Sequence, residues 1–254
     1  MNKNSIDKLF FEKHGYIQLS NLIKKNQVFD LLSDEIISET NKFYSENFNQ
    51  IKKLGGYLTG NLELLPDNKL SQIWNILCDE NFEKIFENIT GKKISNFNVK
   101  YSGNIVLPNK GAQHFHTDGP LKSNKLILNI AIHEIDSINA PTEIVPGTHS
   151  KEIKYWKFYL YEIFKKKLLV KMKKGDVVIR NHSIWHRGTK NNSNNLRILP
   201  LFVLTEKASN QNLNNIINKK IEIGENQFKS SNKQKIKELF SIYLSPIYIF
   251  YRII

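Results

Sequence analysis

The stretch KLLVKMKKGDVVIRN, residues 167–181, decides how the chain folds. It holds two short apolar runs on either side of a Lys-Gly-Asp turn, which is the pattern of two strands meeting across a tight connection. The same rhythm extends in both directions. NFNVKYSGNIVL (96–107) alternates, KLILNIAIHEI (125–135) and LRILPLFVL (196–204) are apolar, and TEIVPGTHS (142–150) is a short strand closed by a Pro-Gly turn. No helix lies between successive strands, which argues against a parallel β-α-β sheet. Many short strands with turn punctuation predict a mainly β protein, a sandwich or barrel-like jelly roll.

Helices flank this β region on its N-terminal side. Residues 6–50 read mostly as helix, with Val28, Leu31, Leu32 and Ile36 at helical spacing. Two shorter helices carry Leu70, Ile73, Trp74 and Leu77, and Phe82, Ile85, Phe86 and Ile89, with Gly91 placed to close the second. The 254 residues are 40% hydrophobic, enough for one sizeable domain. We assign that domain to residues 1–205 and treat 206–254 as an extension. Its final apolar stretch could pack on the body, form a homo-oligomer contact or touch a membrane surface, in that order of preference.

No apolar run is long enough to span a membrane, and the N-terminus lacks the apolar core of a secretory signal. A single cysteine, Cys78, rules out a disulfide framework and Cys-based zinc sites. It is expected to be a buried small hydrophobe. A cytoplasmic location is the default. The formal net charge of +13 suits an anionic partner, whether nucleic acid, lipid or a small metabolite.

The chemistry concentrates in AQHFHTDGP, residues 112–120. On a strand, His114, His116 and Asp118 share a face and Gln113 points away. A His and a carboxylate two apart can bind one metal side by side. A second His from a later strand would complete the two-His, one-carboxylate triad of non-haem iron oxygenases. His182 and His186 are available, and His186, just beyond a predicted strand, is preferred. Further on, Arg197 opens an apolar strand, where a permanent cation is costly without a partner. A guanidinium takes a carboxylate in bidentate fashion. 2-Oxoglutarate, with a chelating keto-acid head and a distal carboxylate, matches that layout.

HFHTDG, NAPTEIVPGTHS, KGDVVIRNHSIWHRGTKNNS and NNLRILPLF follow one another in the order of the phytanoyl-CoA dioxygenase family, which the chain resembles over roughly residues 6–205. LFFEKHGYIQLSNLI resembles that family's opening, a helix running into a Gly-aromatic strand. The resemblance implies a double-stranded β-helix core (a cupin-like jelly roll) and an enzyme using Fe(II), 2-oxoglutarate and O2. It implies His116, Asp118 and His186 as iron ligands and Arg197 as the anchor of the cosubstrate's distal carboxylate. It also places Asn129, Gly188 and Ser193 near the cosubstrate. Asn104 and Lys100, inward by parity, are weaker candidates for cosubstrate or substrate.

The expected reaction is hydroxylation of an unactivated C–H bond in a small, anionic metabolite, with release of succinate and CO2. Desaturation, cyclisation and epimerisation stay open, as does a non-catalytic metal- or sugar-binding jelly roll. The presence of Asp118 argues against halogenation, because halogenating relatives replace this acid. Asn192 stands where nucleic-acid demethylases of the wider class carry an arginine, so no nucleic-acid partner is expected.

His114 is the remaining polar group on that face, either a substrate contact or a structural His. His149 is expected to make a structural hydrogen bond, His182 to sit at a strand edge and Trp185 to pack in the core. The aromatic, basic segment 151–167 is either a packed insertion or a lid built on Tyr155, Trp156, Phe158 and Tyr159. Its Lys165–Lys167 run reads as a solvated face.

Overall fold

The computed structural model describes residues 3–49, 61–64, 68–110, 113–121, 123–154, 157–158, 160 and 163–207. Helix α1 (Lys3–His14) leads into strand β1 (Tyr16–Leu19), then α2 (Gln27–Glu46), β2 (Asn61–Leu64), α3 (Asn68–Leu77) and α4 (Glu80–Thr90). The β region follows: β3 (Phe97–Val106), β4 (Lys125–Ile130), β5 (Thr142–Ile144), β6 (Leu168–Val170), β7 (Val177–Asn181), β8 (His186–Gly188) and β9 (Arg197–Glu206). Six strands form one sheet in the order β1-β7-β4-β9-β3-β2, and three form a second in the order β6-β5-β8. Each pairing is antiparallel. The expected mainly β sandwich with flanking helices is what forms.

The turn at the centre of the opening stretch holds this arrangement together. Gly175 adopts φ +87°, and the Ile23 carbonyl lies where a side chain would project, so only glycine fits. The Gly175 carbonyl accepts from the Ile23 N–H (3.1 Å). Asp176 then ties three segments together. Its carboxylate accepts from the Asn21 N–H (2.7 Å), the Lys173 N–H (2.9 Å) and the Gln18 side chain (3.0 Å).

The large sheet is covered on both faces. On the outer face, Ile17, Ile105, Leu128, Ile130, Ile179, Ile198, Phe202 and Leu204 pack against Phe29, Leu32, Ile36, Leu70, Ile73, Phe82 and Phe86 of the helices. On the inner face, Ala131, Val178 and Leu199 meet Ile144 and Val170 of the small sheet and Met172 just beyond it. Burial on both sides explains why β4 and β7 are almost continuously apolar rather than alternating. It also makes any polar residue in them conspicuous.

The helices are capped as their sequences suggest. The Asn26 side chain accepts from Val28 and Phe29 at the start of α2, Asp79 accepts from Phe82 at the start of α4, and Gly91 closes α4 in the left-handed conformation. Three expectations need correction. Residues 6–50 are interrupted by β1, because Gly15 (φ +78°) turns the chain onto the edge of the sheet beside β7. In α2 the buried stripe is Phe29, Leu32, Ser33, Ile36 and Thr40, whereas Val28 and Leu31 are 54% and 60% exposed. Spacing alone could not tell which of two overlapping stripes faces the sheet. Cys78 is only partly buried, at the rim of the helical core.

Tyr155, Trp156, Tyr159 and the extension beyond Lys207 lie outside the described residues. Among the described residues, no helix is long and apolar enough to cross a membrane. In the 151–167 segment Phe158 is fully buried and stacks on Trp185 (3.8 Å between centroids, 5° between planes), while Lys165–Lys167 are exposed.

The two leucines of α2 separate these readings experimentally. Leu32→Ala should cost about 2–5 kcal/mol in denaturant unfolding, and Leu31→Lys should stay within about 0.5 kcal/mol of the parent.

Candidate metal centre and cofactor cavity

His116 and His186 face one another across an isolated antiparallel bridge. The His116 N–H donates to the His186 carbonyl (2.9 Å) and the His186 N–H to the His116 carbonyl (3.0 Å). Residues paired in this way project side chains from the same face, and here the ring centroids are 4.5 Å apart. Each Nδ1–H donates to the carbonyl two residues back, His116 to His114 (2.9 Å) and His186 to Ile184 (3.0 Å). That fixes the tautomer and leaves both Nε2 lone pairs free for a metal.

Asp118 completes the cluster, its Oδ1 3.9 Å from His116 Nε2 and its Oδ2 3.5 Å from His186 Nε2. The three ligand atoms lie within 4.8 Å of one another, and among the described residues these are the one such group. Burial pushes the Asp118 carboxyl up, but the Arg180 guanidinium beside it outweighs that and holds the group well below the usual carboxylate range. Burial, then Arg180, pushes His186 well below its ordinary value. The donor set is therefore an anion and a neutral, deeply buried imidazole beside His116, the protonation states a divalent metal requires.

The sequence placed His116 and Asp118 on one regular strand. The segment's β-bridge to the sheet is instead at His116, and Asp118 lies in a bend whose N–H donates to the His182 carbonyl (3.2 Å). Gln113 is the second correction. It lines the same cavity as His116, and its Oε1 accepts from the Gly188 N–H (2.7 Å). Parity failed for Gln113 because the strand is not regular, whereas Asp118 meets His116 as expected, from a bend rather than a strand.

The triad opens on a cavity of about 330 Å³, within the usual range for a small-molecule site. Its floor is the inner face of the large sheet, and register orders that floor into rows. Lys100, Val203, Ile127 and Arg180 form one row; Ser102, Leu201, Asn129 and Val178 the next; Asn104 and Leu199 the third. Arg197, opposite Val106, begins the fourth.

Arg197 is 2% exposed. Its guanidinium reaches the Asn104 carbonyl at 3.4 Å, and its Nε has no acceptor. No carboxylate pairs with it among the described residues, and burial pulls it down to about 9. It is a cation with room for a carboxylate.

Of the other expected site residues, Asn129, Gly188, Asn104 and Lys100 line the cavity. Ser193 does not. Its hydroxyl donates to Asn191 Oδ1 (2.7 Å) inside the turn before β9. His114 is also absent from the lining, and its carbonyl serves to orient His116. His149 makes its structural bond, to the Glu12 carbonyl (3.1 Å). His182, expected at a strand edge, lines the cavity with Nδ1 3.2 Å from Ser123 Oγ.

Sequence reasoning missed Arg180. Buried in β7 at 6% exposure, it sets a guanidinium nitrogen 2.8 Å from Asp118 Oδ2. The signal was available, an arginine inside the apolar run DVVIRN.

A model of the phytanoyl-CoA dioxygenase family matches residues 11–199. The chain belongs to this family. No curated protein matches it in sequence. Among solved structures, it is similar to the α-ketoglutarate-dependent epimerase SnoN of nogalamycin biosynthesis in complex with Fe3+, α-ketoglutarate and nogalamycin RO. The two are 14% identical over 80% of this chain and 83% of that one, with a TM-score of 0.60. EctD from S. alaskensis with bound Fe is 13% identical over 81% and 79%, at TM-score 0.56. The carbocyclase SnoK, also from nogalamycin biosynthesis, is 16% identical over 81% and 84%, at TM-score 0.51. Likeness at this identity establishes the double-stranded β-helix fold. Family membership and the intact triad make the chain an iron- and 2-oxoglutarate-dependent oxygenase.

One further contact sets the entry to β9. The β4–β9 ladder ends at Asn129–Leu201, and beyond it His133 Nε2 accepts from the Ile198 N–H (3.1 Å) while Nδ1 donates to the Glu134 carbonyl (2.8 Å). Burial lowers the His133 pKa below its ordinary value of 6.5. The unfolded chain therefore takes up the proton first as pH falls below about 6.5, and stability drops from there down through the folded value. Thermal midpoints of the metal-free protein should fall between pH 7 and 5, and His133→Gln should make that fall shallower. An unchanged slope would contradict the assignment.

Proposed function

We propose that the protein hydroxylates an unactivated C–H bond of a small, anionic metabolite. The observation that carries this reading is the convergence, in one cavity, of the triad with a buried arginine that has no counter-ion among the described residues. His116, Asp118 and His186 would hold iron(II), and Arg197 would take the distal carboxylate of 2-oxoglutarate. With both bound, the centre couples O2 reduction and decarboxylation of 2-oxoglutarate to succinate and CO2 with oxidation of the substrate.

The chain's own residues supply placement. The His114 and Ile184 carbonyls aim the two imidazoles. Ile127, Leu199, Leu201 and Val203 give the floor an apolar surface that keeps water from competing with the substrate. Lys100 at the rim and the overall charge of +13 favour an anion. SnoN and SnoK are an epimerase and a carbocyclase, so product mass discriminates among outcomes: one added oxygen for hydroxylation, none for epimerisation.

His116→Ala and Asp118→Ala should abolish substrate-dependent succinate formation. Arg197→Met should raise the KM for 2-oxoglutarate roughly 10- to 150-fold, the worth of a lost charge-assisted hydrogen bond. Anaerobic addition of Fe(II) and 2-oxoglutarate should produce a visible charge-transfer band. Absence of that band in the parent protein would favour a non-catalytic jelly roll.

A further inference from the structure

Iron ligands and Arg197 account for cofactor and cosubstrate, and Arg180 belongs to neither group. It lies in the middle of β7, where removing a guanidinium from water is costly unless its donors are used. Few of them are. Nε donates to Asn129 Oδ1 at a long 3.4 Å. One terminal nitrogen sits 2.8 Å from Asp118 Oδ2. Two of five donors are engaged in these contacts, and Arg180 lines the cavity, where the remaining donors could meet a ligand.

Balancing Asp118 does not explain this arginine, because a divalent metal on Asp118 would itself offset that carboxylate. The lining carries Lys100, Arg180 and Arg197 against Asp118 alone, a net charge of +2. Iron(II) would add two positive charges and 2-oxoglutarate would remove two, so the surplus remains. Position separates the two arginines as well. Arg180 shares a row with Val203, while Arg197 starts the same strand three rows away, ~20 Å at the backbone for a rise of ~3.3 Å per residue. A five-carbon diacid anchored at Arg197 and chelating the metal would have both of its carboxylates engaged without Arg180.

Resting on the iron/2-oxoglutarate reading, we propose that Arg180 anchors an oxyanion, a carboxylate or phosphate, of the primary substrate. It does so beside Asp118, at the end of the inner face remote from Arg197. Lys100, in the same cross-strand row and exposed, draws the anion in. Bidentate contact would then fix how far the reacting carbon stands from the metal.

The test uses the full chain as its anaerobic Fe(II)–2-oxoglutarate complex, titrated separately with inorganic phosphate and with propionate while the charge-transfer band is followed. At least one anion should perturb the parent's band saturably, and the one that does identifies the oxyanion. Arg180→Met should weaken that response about tenfold or more, with Arg180→Lys in between, while affinity for 2-oxoglutarate changes little. Three results would overturn the proposal: no saturable response in the parent, an equal response in Arg180→Met, or a loss of iron or 2-oxoglutarate binding in Arg180→Met matching that in Arg197→Met. Absence of the band in the parent defeats the underlying enzyme reading instead, so the two failures are distinct.

Discussion

Two backbone hydrogen bonds between His116 and His186 hold opposite one another residues that lie far apart in sequence. Without that exchange the imidazoles would sit on separate segments with no fixed relation, and Asp118, in a bend, has no ladder of its own to position it. Its carboxylate is placed by the chain passing from His116 to the Asp118–His182 contact. Gln113 reinforces the same seam, pairing with Gly188 through both main chain and side chain. The metal centre is thus an edge of the small sheet extended by one residue pair, and the large sheet beneath it supplies the floor.

That floor shows how polarity is distributed in a sheet with no solvent face. Helices cover one side and the small sheet the other, so every inward position should be apolar. Where Lys100, Ser102, Asn104, Asn129, Arg180 and Arg197 break the pattern, they break it together, on one face and around one cavity. Burying the polar members Ser102, Asn129, Arg180 and Arg197 without full hydrogen bonding destabilises the fold. Their clustering is therefore better explained by what the cavity holds than by what the sheet needs.

Much of this was legible in the sequence. Turn chemistry at Gly175–Asp176 and the run of short strands specified the sandwich, and motif order specified the triad and Arg197. Regular alternation misled where the chain is irregular: it turned Gln113 away and put Asp118 on a strand. It put Lys100 and Asn104 on the inward face, where both line the cavity, because β3 is a regular ladder. Ser193 falls at a family motif position, yet its hydroxyl is used up inside a turn by Asn191, a three-dimensional pairing that a linear motif does not encode. Arg180 was passed over for a different reason. Attention to known motif positions left no place for an unexpected charge in a strand interior.

The stacked pair Phe158–Trp185 adds a mechanical consequence. Trp185 immediately precedes the metal ligand His186, its N–H donates to Thr148 Oγ1 (3.0 Å), and its ring is clamped by the one fully buried aromatic described in the 151–167 segment. The surface insertion and the iron ligand are thus neighbouring links of one rigid aromatic lever. Sequence drift in that segment, however free at its exposed Leu160, Ile163 and Phe164, must preserve the wedge at Phe158 or loosen the residue beside His186.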